Sequence, residues 1–388
     1  MPNLLLLALL ATFPALSTDM YLPAIPTLQT LWGITLPEAN LSLVVFFMAF
    51  SGCLLIHGPL SDRVGRRPVL IWGILLFVVG CGLCALSNSI TFLILARVVQ
   101  AAGAAAAAAL SLALSKDLYD GVMRQKILAY IGVILALSPM LAPSLGGLML
   151  EVASWRWIFV CQAGLALIAF YGAVKLKEPL TEFTSGGVVS VAGRYLTVLK
   201  NKRFVVLALA FSIMTLPHFA FIGGSPDIYI TGYGVSEQAF GVYFGINALG
   251  VMLGSFLCTR LAGRVKSTHI LYVSLFGIFG AGILMIFLGG LTPLSLTIPM
   301  FCITLAVGFS RPVSNNMILE QVESDVGAAS SVLTFEIFFV GGVAMELIAL
   351  DWPSKPLVIG IFALIGATIP FVGLLFMRRG NTNHNRVK

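Results

Sequence analysis

Charged residues are scarce in this sequence. Only 10% of its 388 residues are Asp, Glu, Lys or Arg, whereas 59% are hydrophobic and the mean hydropathy is +1.00. Since a soluble domain carries about a quarter charged residues, the composition excludes an ordinary soluble globular protein. Apolar runs of about 20 residues, enough to cross about 30 Å of hydrocarbon, recur along the chain. We therefore predict an all-α integral membrane protein.

Signatures of enzymes and metal sites are also missing. The sequence contains no P-loop, no cluster of zinc ligands and no nucleophile paired with a base, so we expect no enzyme, no cofactor and no metal site. Its few cysteines all lie inside apolar runs, where we expect small buried side chains and no disulfide framework. They are Cys53, Cys81, Cys84, Cys161, Cys258 and Cys302.

The breaks between apolar runs predict twelve transmembrane spans. They cover 4–29, 39–60, 68–87, 90–115, 125–150, 155–176, 203–225, 238–260, 268–290, 292–317, 327–350 and 354–377. If both termini are cytoplasmic, 19 of the 23 Lys and Arg lie in cytoplasmic loops or the tail, and only Arg156 and Lys355 face outside. Because Lys and Arg in short loops set orientation, this bias supports that topology. It also accounts for the net charge of +7 without a nucleic-acid partner.

A polar stretch from Lys177 to Arg203 divides six spans from six. We predict an N-terminal bundle at 1–176, a cytoplasmic linker at 177–202 and a C-terminal bundle at 203–388. Within the linker, Val188–Leu199 can form a short basic amphipathic helix on the membrane surface. The halves echo each other, since "SDRVGRR" after span 2 has a degenerate partner, "TRLAGRV", after span 8. Parallel six-span repeats are typical of secondary transporters, with the substrate site between the halves.

The stretch "GPLSDRVGRRPVL" carries the first family resemblance. It is similar to the loop signature G-x-L-x-D-R-x-G-R-R/K that joins helices 2 and 3 in the major facilitator superfamily. We expect its first glycine to allow close helix approach, its aspartate to lie at the N-terminal end of a facing helix, and its arginines to pair with acids. Together these residues form a predicted cytoplasmic latch between the halves: Gly58, Asp62, Arg63, Gly65, Arg66, Arg67 and Asp117.

Two further stretches resemble the same superfamily. "LARVVQAAG" in span 4 has the family's intramembrane arginine, Arg97, with a glutamine three residues later, although Ala101 replaces the usual glycine. "LSPMLAPSLGG" in span 5 resembles the antiporter motif ending G-P-x-x-G-G, with Ala142 in place of its first glycine. Prolines and small residues there allow bending and close packing. The motif residues are Pro139, Pro143, Gly146 and Gly147.

The opening stretch "STDMYLPAIP" narrows the resemblance to the Bcr/CflA branch of proton-coupled drug antiporters. This resemblance implies a fold of two six-helix bundles in the bacterial inner membrane, and a monomer that exports hydrophobic drugs by alternating access. Chloramphenicol- or bicyclomycin-like antibiotics are the implied substrates, and they are exchanged for protons. We expect the protein to contact the lipid bilayer and to bind no nucleic acid.

Two charges lie at the same predicted depth. Counted along their helices, Asp19 lies about 24 Å from the inner side and Arg97 about 10 Å from the outer side. A charge at that depth is costly, so each needs a partner, a water-filled cavity or neutralisation. Desolvation favours the neutral acid, whereas a close Arg97 favours the carboxylate. We expect Asp19 to exchange protons during transport; the alternative is a permanent structural pair with Arg97.

Two groups in the second half are further proton-coupling candidates. His218 lies 199 positions after Asp19, close to the repeat offset. Histidine can relay protons near neutral pH; the alternative, which the sequence favours, is a hydrogen-bonded core histidine. Glu336 lies near the middle of span 11 without an evident local partner, and it is either a proton or cation site or a buried hydrogen-bonded acid.

Aromatic and amide side chains in several spans are candidates for a substrate cavity, because such groups suit varied amphipathic ligands. Together with Asp19 and Arg97 they are Tyr21, Phe46, Phe50, Tyr130, Phe219 and Asn247. Two alternatives to drug export stay open. One is a carrier of a sugar or amino acid on the same fold; the other is a transporter-like membrane sensor without proton exchange.

Overall fold

The computed structural model of the protein describes residues 3–180, 188–322 and 325–384, and within those ranges its regular structure is entirely helical. The α-helices are α1 (Leu4–Asp19), α2 (Ile25–Trp32), α3 (Leu36–Val64), α4 (Arg66–Ala85), α5 (Ile90–Leu118), α6 (Gly121–Val152), α7 (Arg156–Lys175), α8 (Val188–Lys200), α9 (Lys202–Ile213), α10 (Leu216–Pro226), α11 (Glu237–Leu261), α12 (Ser267–Leu288), α13 (Pro293–Leu319), α14 (Val326–Ala349) and α15 (Lys355–His384).

Twelve segments of the described chain are long and apolar enough to cross a membrane. They coincide with the predicted spans to within a few residues at most ends, so the predicted all-α fold is confirmed. The starts of the helices follow local chemistry. At the start of α3, for example, the carboxylate of Glu38 accepts hydrogen bonds from the backbone N–H and the hydroxyl of Thr35, which closes a capping box.

Span 1 is interrupted inside the membrane. Its first part, α1, ends at Asp19; a 3₁₀ turn at Leu22–Ala24 follows, and α2 completes the span. Pro23 has no N–H to donate to the carbonyl of Asp19, so the regular i→i−4 pattern cannot pass this point. The predicted single helix over 4–29 is therefore two helices, and Asp19 is the last residue of the first one.

Span 7 is interrupted in a similar way. Its helix α9 ends at Ile213, and Pro217 at the start of α10 cannot donate to the Ile213 carbonyl. A π-helix at Asp227–Gly232 then extends the span beyond its predicted end at 225. Irregular backbone at membrane depth is tolerated where protein or a water-filled cavity surrounds it, and in transporters it often marks binding sites.

The described chain groups into two compact units. The first unit is Met1–Val191 with Tyr229–Gly245, and the second is Ala192–Ile228 with Ile246–Lys388. The first unit includes Tyr229–Gly245 because this segment packs on α6: a Cβ placed on Gly241 would lie 2.5 Å from Ser144. The division at 177–202 stays a prediction, and residues 181–187 of that linker lie outside the described ranges. The predicted linker helix is present as α8.

The cysteines depart from their predicted burial. All six are free thiols, and Cys81, Cys84 and Cys258 are buried, whereas Cys161 and Cys302 are exposed. The expectation was wrong for these two because both faces of a membrane helix are apolar. Hydropathy alone therefore does not distinguish a cysteine on the outer face of a bundle from one in its interior.

Candidate functional site

Asp19 occupies the C-terminal end of α1, directly before the break in span 1. Asp19 is 6% exposed, and its carboxylate accepts a hydrogen bond of 3.0 Å from the Thr18 hydroxyl. No basic group among the described residues lies within ion-pair distance of it. The C-terminal end of a helix carries partial negative charge, which disfavours a carboxylate. The position of Asp19 at the end of α1 therefore does not stabilise its charged form.

Arg97 is enclosed near the same break but does not pair with Asp19. Its guanidinium donates from Nη1 to the carbonyl of Ser17 at 2.8 Å and from Nε to the carbonyl of Ser42 at 3.4 Å. Its Nη2 has no hydrogen-bond partner among the described residues. The permanent Asp19–Arg97 pair, which was the alternative for the two charges, is therefore wrong for this structure. Depth alone placed the two residues at one level without showing which way each points.

Aromatic rings surround Arg97 in place of a carboxylate. The guanidinium carbon lies 4.2 Å from the ring centroid of Phe46, 5.0 Å from that of Tyr21 and 6.0 Å from that of Phe159. Cation–π contacts of this kind contribute about 2 kcal/mol or more where water is excluded, and Arg97 has no accessible surface. The residue is thus a buried cation held by rings and carbonyls at the end of α1.

Two glutamines continue the polar contacts from Arg97 to α7. Arg97 Nη1 donates to Oε1 of Gln100 at 2.7 Å, and Nε2 of Gln100 donates to Oε1 of Gln162 at 2.8 Å. Gln162 in turn donates from Nε2 to the carbonyl of Leu16 at 2.9 Å. Sequence reasoning missed Gln162, although an amide inside an otherwise apolar span was the available signal.

These contacts satisfy the open end of α1. In an uninterrupted helix, the carbonyls of Leu16 and Ser17 would accept from the N–H groups of Met20 and Tyr21. Tyr21 N–H instead bonds to Thr18 O at 3.2 Å. Gln162 and Arg97 supply the missing donors, and the Arg97 charge also complements the helix dipole.

The predicted cavity residues belong to both units. Tyr21 and Phe46 have no accessible surface; the Tyr21 hydroxyl bonds to Ser42 Oγ at 2.9 Å, and Phe50 stacks on Phe46 with centroids 6.2 Å apart. Tyr130 is 47% exposed on α6. Phe219 and Asn247 belong to the second unit, where both are buried. Their assignment to a substrate cavity stays a prediction.

Arg66 organises the predicted latch loop. Its guanidinium contacts Asp117 at 2.7 Å through Nε and Asp62 at 2.5 Å through Nη1. The expected pairing of an arginine with Asp117 is confirmed. Asp62 also pairs with Arg66, which lies four residues later in the sequence. All these contacts lie within the first unit, and joining of the two halves by this loop stays a prediction.

The two loop glycines differ in what surrounds them. A Cβ placed on Gly58 would meet no atom of the described chain within 4 Å, so the expected close helix approach at Gly58 is wrong in this structure. Gly65 has φ +110° and lies against a carboxylate: a Cβ there would be 2.7 Å from Oε2 of Glu178. Only glycine adopts this backbone without strain.

Glu178 was not predicted from the sequence. Its two carboxylate oxygens accept from the backbone N–H of Arg66 at 3.0 Å and of Arg67 at 2.9 Å, which satisfies the N-terminus of α4 and complements its dipole. The Arg67 side chain donates to the carbonyl of Val174 at 3.0 Å. Arg63, the remaining arginine of the loop, is half-buried. The start of the linker is thereby fixed to the latch loop.

The antiporter motif allows very close packing on the break in span 1. A Cβ on Gly146 would lie 2.1 Å from the carbonyl oxygen of Met20, and one on Gly147 would lie 2.4 Å from the carbonyl oxygen of Glu237. The close approach predicted for these glycines is confirmed. Pro139 and Pro143 lie within the same helix, which continues without a break from Gly121 to Val152.

Among the buried polar atoms without hydrogen-bond partners in the described chain, two belong to the proton-coupling candidates of the second unit. They are Nδ1 of His218 on α10 and Oε2 of Glu336 on α14. The interpretation of His218 as a fully hydrogen-bonded core histidine is therefore wrong for its Nδ1 atom. His218 packs against the neighbouring Phe219 ring, with centroids 5.6 Å apart. No carboxylate of the described chain forms an ion pair with Arg311.

Comparison with solved structures supports the fold. The chain superposes on the crystal structure of a D-xylose–proton symporter with a TM-score of 0.70 and 15% identity, covering 95% of this chain and 96% of the symporter. A bacterial homologue of the human lysosomal transporter Spinster, in an inward-facing and unoccupied conformation, gives 0.71 and 15% identity over 96% of both chains. At this identity the likeness concerns the fold alone.

Sequence comparison identifies the family. The uncharacterized MFS-type transporter YdgK of Bacillus subtilis is 30% identical over 97% of this chain and 96% of its own length. The multidrug transporter MdfA of Edwardsiella piscicida is 32% identical over 68% of this chain and 64% of its own length. A chloramphenicol resistance protein of Pseudomonas aeruginosa is 28% identical over 88% and 81%. Since the Major Facilitator Superfamily model also matches residues 7–345, this multi-pass membrane protein belongs to the Major Facilitator Superfamily.

Proposed function

We propose that the protein is a proton-coupled antiporter that exports hydrophobic drugs from the cytoplasm by alternating access. The observation that carries the proposal is Asp19, a buried acid at a helix break that has no basic partner within ion-pair distance in the described chain. An intramembrane acid of this kind marks an ion or substrate pathway by default. Because no cation neutralises Asp19 permanently, it is free to gain and lose a proton.

The proposed substrate class rests on the relatives and on the character of the chain. Relatives named as multidrug transporters and as a chloramphenicol resistance protein share 28–32% identity with it. A chain with 11% aromatic and 10% charged residues suits amphipathic, uncharged or singly charged compounds better than sugars. We infer chloramphenicol- or bicyclomycin-like antibiotics as substrates.

The proton cycle follows from the position of Asp19. In the outward-open state Asp19 takes up a proton, and in the inward-open state it releases the proton and its carboxylate becomes available to substrate. The driving force is the proton gradient, without a cofactor. Glu336 and His218 supply further proton sites in the second unit, since each has a buried polar atom that no group of the described chain satisfies.

The proposed setting is the inner membrane of a bacterium, with both termini cytoplasmic, as the distribution of Lys and Arg favours. We propose a monomer that contacts lipid, protons and drug, and no nucleic acid. In this topology the latch loop around Arg66 lies on the cytoplasmic side. The contacts of Gly146 and Gly147 lie toward the outer side, where helices must separate during alternating access.

Transport in proteoliposomes tests the proposal. Vesicles with purified protein and an imposed pH gradient should move radiolabelled chloramphenicol against protons, and Asp19→Asn should abolish the dependence on the gradient. Asp120→Asn is the matched control, because Asp120 is exposed and makes no capping bond. Full gradient-driven transport by Asp19→Asn would contradict the proton assignment. Transport of sugars or amino acids and of no drug would favour the metabolite carrier, and absence of any gradient-sensitive flux would favour the sensor.

A further inference from the structure

The amide of Gln162 bridges two elements of the candidate site. Its Oε1 accepts from Gln100 Nε2 at 2.8 Å, and its Nε2 donates to the carbonyl of Leu16 at 2.9 Å. Gln162 is 1% exposed, so water does not compete for either bond. The orientation of its amide is fixed, because the oxygen faces a donor and the nitrogen faces an acceptor.

Gln100 links the amide of Gln162 to Arg97. Gln100 Oε1 accepts from Arg97 Nη1 at 2.7 Å, so its nitrogen must face Gln162, where it also contacts Cys81 Sγ at 3.2 Å. If the Gln100 amide were flipped, its N–H groups would face the Arg97 guanidinium. The Gln100 amide and Arg97 Nη1 would then each lack the acceptor that they have now. The three side chains thus form one directed chain of hydrogen bonds that begins and ends on carbonyls of the last turn of α1.

We propose that Gln162 is a positioning residue for Asp19: through its bonds to Leu16 and Gln100 it holds the last turn of α1, and Arg97 beside it, in the geometry in which Asp19 exchanges protons. The proposal rests on the proposed proton coupling. Leu16 and Ser17 directly precede Thr18, the hydrogen-bond partner of Asp19, so a shift of their carbonyls moves the carboxylate. In an apolar interior, small shifts relative to a cation and a helix dipole change the relative free energies of the charged and neutral acid.

Arg97 is the only charged group that the middle of the neighbouring helices brings to this region. The helices α5, α6 and α7 pack on α1. Their other titratable residues lie toward helix ends or are exposed: Lys116, Asp117, Arg124, Lys126, Tyr130, Glu151, Arg156, Cys161, Tyr171 and Lys175. The buried thiols of Cys81 and Cys84 on α4 and the phenol of Tyr21 complete the set. Proton exchange at Asp19 is therefore governed by Arg97 and by the group that orients it.

A pH profile separates positioning from stability. In proteoliposomes with the same imposed gradient, Gln162→Leu should shift the pH of half-maximal chloramphenicol transport by about half a unit or more. In an Asp19→Asn background, which should lack gradient-driven transport, Gln162→Leu should leave the pH dependence of chloramphenicol binding unchanged, because the titrating group is gone. Ala169→Val, which overpacks the same buried face of α7, is the control: it should lower the melting temperature and leave the profile unchanged.

Gln162→Glu provides a second, isosteric variant if Gln162→Leu does not fold. A neutral glutamic acid accepts from Gln100 and donates to Leu16, whereas a carboxylate cannot donate. This variant should therefore approach the wild-type rate at acidic pH and lose transport as pH rises. An unshifted profile in either Gln162 variant, or an equal shift in Ala169→Val, would overturn the positioning role. If Asp19→Asn alone kept gradient-driven transport, the proposed function would fail instead, which distinguishes the two outcomes.

Discussion

Arg97 donates to the carbonyl oxygen of Ser17 at 2.8 Å, two residues before Asp19, and makes no ion pair with Asp19 itself. The arginine therefore stabilises the end of the helix that carries the acid and does not neutralise the acid directly. A permanent ion pair would keep Asp19 charged in every state. A cation bound to the helix end leaves the acid able to change its protonation state.

Arg97→Lys tests this arrangement. A lysine has one compact ammonium group, which cannot reach the Ser17 carbonyl, the Ser42 carbonyl and Gln100 together. Each acceptor left unsatisfied costs about 1–3 kcal/mol, so we expect a lower melting temperature in detergent and a large loss of transport. Arg264→Lys, at an exposed position, is the control and should change either quantity little. Wild-type stability in Arg97→Lys would argue against the helix-end role.

The two acids beside Arg66 should differ in importance. The Asp117 side chain is 15% exposed and that of Asp62 is 45% exposed, so solvent screens the Asp62 pair more strongly. We expect Asp117→Asn to lower the maximal transport rate more than Asp62→Asn, with chloramphenicol binding unchanged in both variants. Parallel measurements of transport kinetics and of equilibrium binding check this order. A larger effect of Asp62→Asn would mean that Asp62 has a partner in another access state.

The glycines of the latch loop provide a matched pair. Gly65→Ala places a Cβ 2.7 Å from Glu178 Oε2 on a backbone of φ +110°, which we expect to destabilise the protein by about 1 kcal/mol or more. Gly58→Ala meets open space and should leave the melting temperature near the wild-type value. Thermal unfolding of both variants in one detergent makes the comparison. Equal melting temperatures would contradict the placement of Glu178 against Gly65.

Gly146 should be essential where α6 crosses the break in span 1. A Cβ there would lie 2.1 Å from the carbonyl oxygen of Met20. The clash would be with backbone atoms, which can move only if the two segments separate. We expect Gly146→Ala to separate the helices and to abolish transport. Gly132→Ala in the same helix meets no atom within 4 Å and should retain activity. Comparable transport by the two variants would show that this crossing is looser than described.

Much of this arrangement could be predicted from the sequence because hydropathy and the charge of loops report on helix length and loop position. The spans, the intramembrane charges Asp19 and Arg97 and the Arg66–Asp117 contact were accessible in that way. Counting residues gives depth along a helix but no direction around it, so the sequence could not show that Arg97 points to backbone carbonyls. The amide of Gln162 in an apolar span was visible in the sequence, but the partners of Gln162 and Glu178 were not, because they lie in distant segments.

The central claim is that Asp19 carries the exchanged proton. The most direct measurement is proton release on addition of chloramphenicol to purified protein in weakly buffered detergent, followed with a pH-sensitive dye. Substrate that competes for the deprotonated form should release protons from the wild type, and Asp19→Asn should release none. Equal release from both proteins would contradict the claim.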